Sequence, residues 1–233
     1  MIRKELFEMY KEHELWLINQ GLYLENQEYE EIEDKEKYIG KRADFRGKDL
    51  NGENLIYKNL SGAIFTDILM VECYLEKVKL SNAVLNGVNL WYAELTDVDL
   101  TKSVLSNVDL SNASIDNCKF TNSDLSKSKL FETNIDESDL KNVNFENSKI
   151  QDTVFLDTDL KNVNFENAYL NEVIFENVDL RNTNFEGVFL KNVKFINSKL
   201  DGIDFSNTKG FVKVVFENIN LDNVILANVE LGF

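Results

Sequence analysis

Every fifth residue from Phe45 to Phe205 is Leu, Phe, Ile or Met, at 33 positions in succession. Neither common period produces this. An amphipathic helix repeats its apolar residues at about 3.6 and a half-buried strand at 2. The fine structure of the repeat supplies the missing geometry. Two residues before each large position stands Ala, Val, Ser, Thr, Cys or Ile; the exceptions are Lys48, Glu53 and Lys58 in the first coil. Two residues after it, Asn or Gly recurs, as at Asn82, Gly87, Asn142, Asn147 and Asn162. A two-residue step puts both side chains on one face of a short extended segment. The next three residues must then turn the chain, and Asn and Gly tolerate the left-handed backbone that tight corners demand. Four such sides close a coil of 20 residues.

Proline is absent from the chain. A strand hydrogen-bonded on both sides has no place for a residue without an N–H. The large residues therefore point into a continuous interior, and each coil stacks on the last.

The pattern resembles the pentapeptide-repeat family. Ala93, Glu94, Leu95, Thr96 and Asp97 form one such unit, and Val163, Asn164, Phe165, Glu166 and Asn167 another. The resemblance covers residues 41–231. It implies an all-β, right-handed quadrilateral β-solenoid and a bacterial source. After Phe205 the phase slips by one residue. Gly210 stands where a large residue is due, and the series resumes at Phe216, Leu221, Leu226 and Leu231. One extra residue implies a bulge at a corner near Gly210. The whole series makes about nine coils, and at about 4.8 Å per coil a rod of roughly 45 Å.

The period of 20 assigns the interior. One side stacks Phe45, Phe65, Phe145, Phe165, Phe185 and Phe205 among leucines; the opposite side brings Phe155, Phe175 and Phe195 into line. Cys73 and Cys118 fall at inward small positions on neighbouring sides, 45 residues apart. That places them about 10 Å apart along the axis, too far for a disulfide.

The ends need covers, because a terminal coil exposes an apolar cross-section. Leu6, Met9, Tyr10, His13, Trp16 and Leu17 lie at helical spacing, which predicts an amphipathic helix over 3–19 stopping near Gly21. Residues 1–40 form a helical cap and charge-rich connector, with Glu25 to Glu36 its most charged stretch, and residues 41–233 the solenoid. Lys48, Glu53 and Lys58 cannot enter a dry core unpaired, so the first coil is expected to be distorted or flared toward the cap. No helical pattern closes the other end. Leu226, Leu231 and Phe233 form a candidate edge for an end-to-end homodimer through the C-terminal coil.

Chemistry is sparse. The single histidine, His13, sits on the cap. No glycine-rich phosphate loop or His-Glu-x-x-His motif occurs. The expectation is a non-enzymatic chain with no catalytic residue, cofactor or metal. The net charge of −16 argues against direct nucleic-acid binding. No apolar run reaches the length of a membrane span and no secretory leader is evident, so a cytoplasmic location is expected.

The outward residues carry the functional reading. On the Leu50–Leu190 side the apolar set is Leu69, Val71, Trp91, Phe131, Tyr169 and Phe189, with Tyr92 at the corner. On the Leu55–Phe195 side it is Ile56, Tyr74, Val154, Leu156, Ile174 and Ile196. Asp139, Asp159 and Asp179 alternate with Lys141, Lys161 and Arg181 in a neutralised face, while Glu146, Glu166 and Glu186 form a like-charge column. Exposed apolar patches mark partner surfaces. The residues point to an interaction module: a rigid acidic rod presenting the Leu69–Phe189 face to a protein. The resemblance implies an alternative. Some family members mimic duplex DNA, bind DNA gyrase or topoisomerase IV and protect these enzymes from quinolones or toxins, and the Glu146–Glu186 column would serve such a role.

Overall fold

The computed structural model describes residues 2–20 and 40–226. They form one helix, α1 (Ile2–Asn19), and a parallel β-solenoid. Each strand is three residues long and pairs in parallel with a strand one coil away, as Tyr74 with Glu94 and Leu75 with Leu95. One side is an eight-stranded parallel sheet from Tyr74–Glu76 to Val215–Glu217; another is a five-stranded sheet from Lys129–Phe131 to Gly210–Val212. The continuous strand ladder marks about seven turns, fewer than the nine or so read from the repeat. The outer coils are held instead by single bridges, such as Asp44 to Ile64 and Asp204 to Ile225.

The corners explain the third residue of the motif. All 32 positions two residues after a large residue, from Gly47 to Gly202, have positive φ, between 47° and 80°. Asn and Gly recur there because other L residues meet a steric cost in this region.

The phase slip is a bulge, as expected, but the slot is refilled differently. Lys209 N–H still donates to Val188 O, while Phe211 pairs with Leu190 and Phe216 with Phe195, each 21 residues apart. Phe211, not a gap at Gly210, occupies the inward position. Gly210 lies against the Phe189 ring so closely that a Cβ there would collide with it.

The interior is built from the large residues, nearly all fully buried. Phe145, Phe165 and Phe185 stack at 5.3 and 5.5 Å; opposite them Phe155, Phe175 and Phe195 stack at 5.1 Å per step. The two ladders meet edge to face, Phe145 on Phe155 at 6.4 Å and Phe165 on Phe175 at 6.1 Å. Both arrangements suit the ring quadrupole.

Several inward Thr, Ser and Cys side chains donate to the backbone carbonyl 23 residues earlier, while the Ser123, Ser128 and Ser148 hydroxyls have no hydrogen-bond partner among the described residues. Thr133 Oγ1 donates to Leu110 O at 3.0 Å and Thr153 Oγ1 to Leu130 O at 2.8 Å; Cys73 Sγ makes the equivalent bond to Leu50 O at 2.8 Å. Both cysteines are buried and unbridged.

The first coil is not flared. Phe45, Leu50, Leu55 and Leu60 are buried, and their neighbours keep the 20-residue register. Lys48, Glu53 and Lys58 are accommodated because no coil lies beneath them; helix α1 does. Lys48 pairs with Glu5, and Lys58 Nζ lies 5.2 Å from the centroid of Tyr10. Burial and the nearby Glu53 carboxylate push the Tyr10 hydroxyl up to about 12. Leu6, His13 and Leu17 are buried under the helix, with Met9 and Tyr10 packed on the core. Gly21 and the Glu25–Glu36 connector lie outside the described residues.

Candidate interaction surface

The repeat fixes which side chains face outward, so the surface is a set of columns stepping once per coil. Most columns are internally satisfied. Asn142 donates to Asn122, Asn162 to Asn142 and Asn182 to Asn162, at 2.9, 3.0 and 3.2 Å. A second amide ladder links Asp124, Asn144, Asn164 and Asn184. On the Leu60–Leu200 side, Lys141 bridges Asp139 and Asp159, Lys161 bridges Asp159 and Asp179, and Arg181 closes on Asp179 at 2.7 Å. Partial burial would raise the Asp179 carboxyl, but hydrogen bonds from Arg181 and Lys161 outweigh it and hold the group below the carboxylate range.

The apolar set of the Leu50–Leu190 side divides into two patches. Leu69, Trp91 and Tyr92 are exposed at 48, 44 and 50%, with Val71 half-buried beside them. Farther along, the Tyr169 and Phe189 rings stack at 5.3 Å, Tyr169 exposed and Phe189 half-buried. Half-buried Phe131 lies between, beyond the Lys129–Asp109 ion pair. Ile56, Tyr74, Val154, Leu156, Ile174 and Ile196 on the next side are all half-buried.

Trp91 is exposed yet held. Its N–H donates to Asn89 Oδ1 at 2.9 Å. With the Asn112 amide oxygen turned toward it, the indole Nε1–H donates to Asn112 at 2.9 Å, and Asn112 donates to Glu132 Oε2 at 3.1 Å. The Trp91 and Tyr92 rings lie 5.0 Å apart at 37°. The relay Trp91–Asn112–Glu132 climbs one coil at a time, by 21 and then 20 residues, and the sequence reasoning missed it.

Glu146, Glu166 and Glu186 do form a column. Their backbone N–H groups donate to Asn144, Asn164 and Asn184, and Asn147 donates to Glu146 Oε1 at 2.8 Å. No Lys or Arg pairs with them among the described residues. A more acidic surface lies elsewhere. The Leu55–Phe195 side presents Glu76, Glu94, Asp116, Asp136 and Glu176, and its corner toward the Trp91 face adds Glu72, Glu132, Asp152 and Glu172.

At the far end Leu226 is half-buried, and Val212, Val215, Leu221 and Ile225 are exposed. Leu231 and Phe233 lie outside the described residues. Among the described residues there is no group of three metal-ligating side chains and no helix long and apolar enough to cross a membrane.

A coil of four five-residue sides, with an aliphatic or aromatic residue inward and Asn or Gly at the corner, defines a pentapeptide-repeat solenoid. The chain belongs to the pentapeptide-repeat family: the profile described as a pentapeptide repeat region matches residues 93–174 and 137–205, and that of pentapeptide repeats (8 copies) matches 59–91. No curated protein matches it by sequence. Similar solved structures include HetL, a pentapeptide repeat protein involved in heterocyst differentiation regulation from Nostoc sp. strain PCC 7120, at 16% identity and TM-score 0.45, covering 84% of this chain and 93% of that one. QnrB1, a plasmid-mediated fluoroquinolone resistance protein, is similar at 14% identity and TM-score 0.44, covering 71% and 92%. Rfr23 from the cyanobacterium Cyanothece 51142 follows at 19% identity and TM-score 0.26, covering 64% and 86%.

Proposed function

We propose that this chain is a non-enzymatic protein-interaction module, a rigid acidic rod that presents the Leu69–Trp91–Tyr92 patch to a protein partner. One observation carries the reading. Three large apolar side chains are exposed together on adjacent coils, and the indole among them is oriented by Asn112. Amphipathic aromatic anchors that are already ordered lose little entropy on binding. The test replaces Leu69, Trp91 and Tyr92 together by Ser and compares affinity capture from a bacterial lysate, with circular dichroism as the check on the fold. Loss of the captured species with an unchanged spectrum supports the face; unchanged capture overturns it.

A second reading rests on the carboxylates of the Leu55–Phe195 side and the Glu146–Glu186 column: a DNA-mimic surface for a type II topoisomerase. A gyrase supercoiling assay with a quinolone present tests it, rescue at micromolar protein supporting it and absence of any effect excluding it. An end-to-end contact between two copies through the Val212–Ile225 coil belongs to the same proposal, and sedimentation at tens of micromolar tests it; a monomer there excludes the contact.

A further inference from the structure

Among the described residues no Lys or Arg lies over the aromatic pair at the Trp91 corner, whereas two tyrosines each have such a partner. Lys77, one coil beyond Tyr57, places its Nζ 5.3 Å from that ring's centroid, and Lys58 does the same for Tyr10 at 5.2 Å. At the Trp91 corner the residue one coil beyond Tyr92 is Asn112. Read from Gly52 to Asn192, this corner column is Gly52, Glu72, Tyr92, Asn112, Glu132, Asp152, Glu172 and Asn192, without a Lys or Arg.

The setting is nonetheless that of a cation site. Glu72 lies one coil below, its N–H donating to Trp91 O at 2.8 Å. Glu94 follows Tyr92 by two residues, and Glu132 is tied to the indole through Asn112. Aromatic faces attract ammonium and guanidinium groups through the ring quadrupole, and adjacent carboxylates add to that attraction. The exposed rings, and carboxylates that form no ion pair among the described residues, are thus complementary to the same chemistry.

Resting on the interaction reading above, we propose that the occupant of this corner is a Lys- or Arg-bearing segment of a partner protein. One cationic side chain lies over Trp91 and Tyr92. Others follow the corner toward Glu132, Asp152 and Glu172, which step by about 4.8 Å per coil.

The probe is a fluorescein-labelled peptide of alternating Arg and Ser, about nine residues long, titrated by anisotropy at low and at physiological salt. Trp91→Ala with Tyr92→Ala leaves the net charge unchanged and is expected to weaken binding about tenfold. Glu146→Gln, Glu166→Gln and Glu186→Gln together remove three charges from another side and are expected to change it by less than about threefold. The opposite order, or equal losses, shows nonspecific attraction to an acidic rod and overturns the proposal, as does absence of binding. The two readings fail separately. If the Ser variants abolish partner capture while the peptide does not bind, the face stands and its occupant is not cationic. If capture is untouched, the face itself is wrong.

Discussion

His13 Nδ1 accepts the N–H of Ala43 at 3.1 Å, so a side chain of the cap takes the place that a preceding corner's carbonyl would hold. In other coils an inward small residue donates to the carbonyl three residues earlier, as Ala63 does to Leu60, or to a serine hydroxyl one coil on, as Cys118 does to Ser138. The ring is fully buried, stacked on Trp16 at 5.3 Å, and its Nε2 has no hydrogen-bond partner.

The first prediction follows from that bond. Burial lowers the His13 imidazole from 6.5 to about 4; the Ser61 backbone partly offsets this and the charge of Arg42 adds to it. The docked ring binds its proton less tightly than a free one, so the cap is fully docked above about 6.5, weakens as pH falls, and levels off below about 4. In a Trp91→Phe background, Trp16 emission should report a transition in that window. His13→Asn keeps an acceptor without a titrating group and should remove it. Superimposable pH curves for the two would rule the linkage out.

The second concerns the aromatic ladder. Phe165 is fully buried between Phe145 and Phe185 and meets Phe175 edge-on. Neighbouring coils cannot collapse into the space without breaking register. Phe165→Ala should cost about 3–5 kcal/mol in urea titration. A loss under about 1 kcal/mol would contradict the placement.

The cysteines give the third. Burial raises the Cys73 thiol to about 11 and the Cys118 thiol to about 12, so both stay protonated at pH 8. Native protein should leave a disulfide reagent unreacted, and both thiols should react after unfolding. Because Cys73 makes the bond that Thr133 makes, Cys73→Ser should change stability by less than about 1 kcal/mol.

Corner chemistry gives the fourth. Lys127 has φ 59° and stands one coil from Asn107 and from Asn147. Lys127→Asn should raise stability by about 1 kcal/mol and Lys127→Val should lower it, read as shifts in the urea midpoint.

These residues also show what the sequence could and could not reveal. Inward and corner positions are local: a five-residue unit carries its own small residue, large residue and turn, so Phe165 and Asn147 could be assigned by counting. The cysteines follow from the same count. Lys48, Glu53 and Lys58 were misread as signs of distortion because their partners, Glu5 and Tyr10, lie some forty residues earlier and on a helix. Counting located the bulge but not its outcome, since the period does not encode the close approach of the Phe189 ring to Gly210 that goes with Phe211 in the inward slot. The exposure of Trp91 was legible from its phase. Its fixed orientation was not, because that depends on an amide one coil on and a carboxylate two coils on.

In a globular loop an inserted residue is absorbed within a few neighbours. Here the extra residue between Thr208 and Phe211 is inherited by every described coil that follows, with Asp204 facing Ile225 as Leu190 faces Phe211. The rod therefore behaves as a counter. Whole coils of twenty residues could be added or removed without altering which side any residue faces. A two-residue error, left uncorrected by a bulge, would send every later large side chain to a corner.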